Sequence, residues 1–174
     1  MGTTSRALKL VLGGFGLAAA LLGALATPAV AAEPPPVICF SGHVQDVGWQ
    51  PWNCDNDGDP AFAGSTGQDR RLEALRVITY NTGGLTCVRA HVQDQGWSNQ
   101  TCLPDGLEAT VGTTGLNRRI EAVSLSHNTR GLCLEAHVQN VGWAGRACKS
   151  AGEENVVGTT GQGLRLEAVT GLVQ

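Results

Sequence analysis

The 174-residue chain carries 12 basic and 15 acidic side chains, a formal net charge of −3. No basic run or stripe is present to cover phosphates, so nucleic acid and anionic membranes are not expected as partners.

The chain begins with Arg6 and Lys9 ahead of the nearly uncharged stretch LVLGGFGLAAALLGALA and the small-residue stretch TPAVAAE. That order reads as a secretory signal peptide over residues 1–32, cut after Ala31 or Ala32, with a retained membrane anchor as the alternative. No second long apolar run follows, so the exported part is expected to be soluble. Without Arg6 and Lys9, ten basic side chains face 15 acidic ones over residues 33–174, a net charge of −5. The EPPP stretch reads as a short extended linker over residues 33–38. Residues 39–174 then have the length of one domain with a modest core.

The exported part is a threefold repeat, over residues 39–84, 85–130 and 131–174. GHVQDVGW at Gly42–Trp49 returns as AHVQDQGW at Ala90–Trp97 and as AHVQNVGW at Ala136–Trp143. The copies align without gaps at offsets of 48 and then 46 residues, so the connections between repeats tolerate length change and the repeat body does not. Each copy holds two cysteines 15 positions apart: Cys39 and Cys54, Cys87 and Cys102, Cys133 and Cys148. In a secreted chain they read as one disulfide per repeat, each worth roughly 3 kcal/mol by loop entropy. The four-residue spacing from Cys39 to His43 suggests zinc. Structural zinc sites instead use close cysteine pairs in a reducing compartment, so no metal is expected.

Within a repeat the signals favour strands. LTCVRAHVQ and RRIEAVSL mix β-branched and aliphatic residues over strand lengths, and no helical period or capping box appears. Gly58, Gly106 and Gly152 mark one turn, and GSTG at 64 with GTTG at 112 and 158 mark another, placing glycines where positive φ is needed. About four short strands per repeat predict an all-β, pseudo-threefold domain that is β-trefoil-like, with a β-prism of three four-stranded sheets as the alternative.

The recurring polar residues admit two readings. By alternation Arg71, Glu73, Leu75 and Val77 share a strand face, so Glu73, Glu121 and Glu167 are expected to be partly buried and in need of partners. Arg71, Arg119 and Arg165 or His43, His91 and His137 can supply them as structural contacts, or the same groups can floor a ligand pocket. Trp49, Trp97 and Trp143 can pack into the core against the bridges, or stack on a sugar ring while Gln45, Gln93 and Gln139, with Asp46, Asp94 and Asn140, take its hydroxyls. Trp52 occurs only in the first repeat and is a candidate exposed aromatic. No nucleophile elbow, HExxH or phosphate loop is present, and three weakly distinguished carboxylates are a poor way to build one catalytic centre. The acidic DNDGD at 55–59 lacks the downstream glutamate of a calcium loop and reads as a turn.

The combination HVQxxGW, GTTG and RLEA closely resembles the clostridial hydrophobic repeat with its characteristic tryptophan, the ChW repeat, across all three units. His43, Gln45, Gly48, Trp49, Gly64, Thr66, Gly67, Leu72, Glu73 and Ala74 match its motif, with equivalents in the other units. The disulfide pair departs from it. The resemblance implies an extracellular bacterial protein with an accessory role at the cell surface or in binding polysaccharide. The expectation is a non-enzymatic domain, without cofactor, that binds cell-wall or environmental polysaccharide at up to three equivalent sites. A protein-interaction, adhesion or inhibitor domain, working through the loops that differ between repeats, is the alternative.

Overall fold

Each repeat folds into five strands rather than four, because the chain pairs at both Gly-Trp and the second cysteine. The computed structural model describes residues 1–2, 32–56 and 58–174, so nearly all of the expected signal peptide lies outside the described residues. The first repeat contains β1 (Val37–Val44), β2 (Gly48–Trp49), β3 (Asn53–Cys54), β4 (Ala61–Gly64) and β5 (Leu72–Tyr80). The second contains β6 (Leu85–Val92), β7 (Gly96–Trp97), β8 (Thr101–Pro104), β9 (Ala109–Gly112) and β10 (Ile120–His127). The third contains β11 (Leu132–Val138), β12 (Gly142–Trp143), β13 (Ala147–Lys149), β14 (Asn155–Gly158) and β15 (Leu166–Val173). The linker is shorter than expected, since β1 already begins at Val37. Among the described residues no helix is long and apolar enough to cross a membrane.

The strands form three antiparallel five-stranded sheets. Within each, the long first and last strands of one repeat pair along their length, as β1 does with β5. The two short strands fold back onto the free edge of the first, bringing Cys39 opposite Cys54, Cys87 opposite Cys102 and Cys133 opposite Cys148. All three pairs are disulfide-bonded. The remaining strand of each sheet comes from another repeat: β9 pairs with β5, β14 with β10, and β4 of the first repeat with β15 of the last. No repeat therefore completes its own sheet. Among the described residues no strand pairing joins one sheet to the next, and no closed barrel forms.

The exchanged strands explain the first glycine of the GSTG turn and of the two GTTG turns. Gly64, Gly112 and Gly158 have φ of 114°, 92° and 102°. A Cβ at these positions would lie 2.2, 2.4 and 2.4 Å from the carbonyl oxygens of Glu167, Glu73 and Glu121. Only glycine accommodates both that conformation and that approach.

One apolar core draws on all three repeats, with Phe40, Leu75, Ile120, Leu125, Leu134 and Leu166 fully buried. Each such side chain stabilises the fold by roughly 1.5–3 kcal/mol. The simple alternation expected for the last strand is broken in every repeat. His43 pairs with Ala74 while Val44 pairs with Leu72, so Glu73 has no partner across the strand. Glu121 and Glu167 are passed over in the same way. Each glutamate is thus the extra residue of a β-bulge, which lets Leu72 and Leu75 both enter the core and re-aims the carboxylate. The expectation that Glu73 shares the face of Leu75 and Val77 is corrected by that extra residue.

Candidate functional site

The HVQ segment ends the first strand and turns. Gln45, Gln93 and Gln139 donate their backbone N–H to the carbonyls of Arg71, Arg119 and Arg165, each at 3.0 Å. The next residues, Asp46, Asp94 and Asn140, adopt φ of 61°, 62° and 61°. Asp and Asn tolerate that left-handed conformation better than most residues, which gives these positions a structural reason beside the binding one. The turn returns the chain so that Trp49 pairs with His43, Trp97 with His91 and Trp143 with His137.

This register assembles the same four side chains three times. The histidine Nδ1 stands 3.1, 3.1 and 3.0 Å from the second oxygen of Glu73, Glu121 and Glu167. Because a carboxylate only accepts, Nδ1 carries the proton. The approach has hydrogen-bond geometry for His43, whereas His91 and His137 keep the distance at a poorer angle. The other carboxylate oxygen accepts from Arg71, Arg119 or Arg165, with Nη2 at 2.8, 2.7 and 2.8 Å. The glutamates are only 5–6 % exposed. A carboxylate that buried requires these charge-assisted partners, so the expected structural contact is present in all three repeats.

The tryptophans lie outside the core, contrary to the packing alternative. Each meets its histidine edge to face, at 5.3, 5.5 and 5.3 Å between centroids. Trp49 and Trp97 are half-buried and Trp143 is 43 % exposed. Arg76 lies over the Trp49 ring at 3.8 Å and Arg89 over Trp97 at 4.9 Å. These arginines are held in turn by carboxylates of the following repeat, Arg76 by Glu108 at 3.0 Å and Arg89 by Glu154 at 2.6 Å.

His43, Gln45, Asp46 and Glu73 come together in an open cavity of about 400 Å³, closed on its far side by Gly115 and Asn117 of the second repeat. The expected polar set is therefore contiguous in the first repeat, and a neighbouring turn completes it. Arg71 donates across this boundary to Asn117, and Arg165 pairs with Asp69 at 2.6 Å. At the remaining boundary Arg119 faces Gly163. The loop residues Asn117 and Asp69 were not legible as site residues, because their shared repeat position holds a different residue in each copy, Asp69, Asn117 and Gly163. Arg76 and Arg89 were missed because they stand at non-equivalent positions on different strands, where the other repeats have no arginine. The three sites share a skeleton without being identical.

A second polar cluster, outside the repeated pattern, joins the connections between repeats. Thr82 donates through its N–H and hydroxyl to Asp105, at 2.8 and 2.5 Å. His127 Nε2 lies 2.8 Å from the Thr82 hydroxyl, and its Nδ1 accepts the Arg130 N–H at 3.1 Å. With Nδ1 accepting, Nε2 bears the proton and donates to Thr82. Burial holds His127 below its usual imidazole range, and Arg130 adds to that, against the pull of Asp105. Burial acts to raise the Asp105 carboxyl, but the hydrogen bonds from Thr82 and Gly83 outweigh it and hold it below the usual range. Thr82 is 2 % and His127 1 % exposed, so these two form an interior joint, while Asp105 also lines an open surface cavity with Asn81 and Gly83.

Among the described residues no cluster of potential metal ligands occurs. In DNDGD, Asp55 accepts from the N–H groups of Ile38 and Val173 at 2.7 and 3.0 Å, and Asn56 bridges to Asp59. Asp57 lies outside the described residues. No curated protein and no solved structure matches the chain. The family model described as Clostridial hydrophobic W matches it three times, at residues 43–78, 91–126 and 137–170.

Proposed function

The chain belongs to the Clostridial hydrophobic W family through those three repeats, and on that premise we propose that it is a secreted, non-enzymatic domain that binds cell-wall or environmental polysaccharide. The observation that carries this reading is the shared cavity of His43, Gln45, Asp46 and Glu73 with Asn117, whose His43 ring meets the half-buried Trp49 edge to face. Polar groups of that kind take sugar hydroxyls, and an indole takes the C–H face of the ring. Several weak sites on one rigid body gain by avidity on a polymer. The three disulfides fit an oxidising, extracellular setting.

Co-sedimentation with insoluble polysaccharides and peptidoglycan, using Trp→Ala variants in each repeat, tests the reading. Retention on at least one glycan, weakened by the variants, is expected. Retention on none would sink it. One observation favours a protein partner instead: Trp52, 41 % exposed, stands with Pro51 and Phe62 around a cleft of about 250 Å³ found in the first repeat. Recovery of a single protein from culture supernatant, lost in W52A and undisturbed by sugars, would favour that alternative.

A further inference from the structure

The three tryptophans differ in what lies over them, and the difference follows from one row of residues across each sheet. In the first sheet the row contains Ser41 paired with Arg76, and in the second Arg89 paired with Ser124. Either way one arginine reaches the indole, from the last strand in one repeat and from the first strand in the other. In the third sheet the row is Glu135, Thr170 and Phe62. A carboxylate occupies the strand position of Arg89. Among the described residues no arginine lies over Trp143, Arg146 of the same loop included.

The counter-charge differs as well. Glu108 and Glu154 fix the arginines of the first two repeats, and the matching position for the third is Pro60. Glu135 shares its strand face with His137, the partner of Trp143, and one of its oxygens accepts the Gly145 N–H at 3.2 Å. Among the described residues Glu135 has no basic partner. The first two repeats thus contain an aromatic ring, a cation and a carboxylate, whereas the third contains the ring and the carboxylate alone. Phe62 flanks Trp143 at 6.4 Å and 62°, an edge contact that leaves this indole more exposed than the other two.

We propose that the third repeat takes its missing cation from the ligand: the ammonium group of a de-N-acetylated amino sugar in a polysaccharide, held between the face of Trp143 and the Glu135 carboxylate. Cations are attracted to an indole face, and the acidic balance of residues 33–174 favours a polycationic chain over a neutral one. His137, Gln139 and Asn140 are then available for the hydroxyls of the same chain. The proposal rests on the polysaccharide reading and names its ligand class and its principal repeat.

Retention on insoluble chitosan, chitin, cellulose and peptidoglycan at matched ionic strength tests it. Chitosan is expected to retain the protein about tenfold more tightly than chitin, with E135Q and W143A each removing most of that preference. The conservative E135Q guards against a folding defect in W143A, and E33Q, in the exposed linker, controls for general charge attraction. Equal retention on chitin and chitosan, or equal losses in E135Q and E33Q, overturns the proposal and leaves the polysaccharide reading standing. Retention on none of the four overturns the reading itself.

Discussion

Gly64 in the first repeat backs directly onto Ala168 in the last. A Cβ at Gly64 would stand 2.5 Å from the Ala168 Cα, which is main chain and cannot turn aside. G64A should therefore destabilise the protein by about 3 kcal/mol or more, combining a positive-φ penalty with displacement of a paired strand. Gly67 has φ of 69° but open space around its missing side chain, so G67A should cost only about 1 kcal/mol. Urea midpoints of the two variants check the contrast, and equal losses would show that β4 is not held against β15.

The buried glutamates invite a second comparison. Removing Glu121 strands Arg119 beside an empty bulge, and E121A is expected to cost about 3–5 kcal/mol. Glu108, 39 % exposed at its side chain, pairs with Arg76 near solvent, and E108A should stay within about 1 kcal/mol. Equilibrium denaturation distinguishes the two. A mild E121A would mean that the carboxylate is solvated.

Each disulfide closes a loop of equal sequence separation, 15 residues. The paired C87S/C102S variant is expected to lose roughly 3 kcal/mol. Thiol titration of the denatured, unreduced protein should find no free thiol. Six would refute the bridges.

Acid should weaken the fold through His127. Its folded-state pKa lies below the usual 6.5, so the unfolded chain binds the proton first. The stability it contributes is complete above pH 6.5 and is lost as the pH falls from there to the depressed native value. Asp55 works in the opposite sense lower down. Burial raises it above 3.8, against the hydrogen bonds from Val173 and Ile38, so its contribution is present below 3.8 and lost as pH rises through the raised value. Denaturation midpoints measured between pH 7.5 and 5 should fall, and H127Q should flatten that slope. An unchanged slope would show that another group carries it.

The parts of this molecule that recur were legible in the sequence. Cys39 and Cys54 with their copies gave the bridges, and the spacing of HVQ and Arg-x-Glu-Ala located the two long strands. The bulge at Glu73 was not legible, because alternation is a property of one strand and a bulge exists only in its register with another. The exchange of β4, β9 and β14 was hidden for a related reason: repeats that share a skeleton give no sign of which copy a strand pairs with. The arginines over Trp49 and Trp97 were missed because comparing repeats rewards what is constant. Arg76 and Arg89 achieve one contact from two non-equivalent positions.

The pairing of β4 with β15 also bears on the order of folding. While the chain is being made, the first repeat has a strand without its partner until residues 166–173 arrive. Long-range pairings of this kind slow folding, because the loop must close before its contacts form. A nascent chain that lacks β15 leaves an edge of β4 open to other molecules, so the eight residues of β15 act as the lock that decides when the protein stops being adhesive to itself.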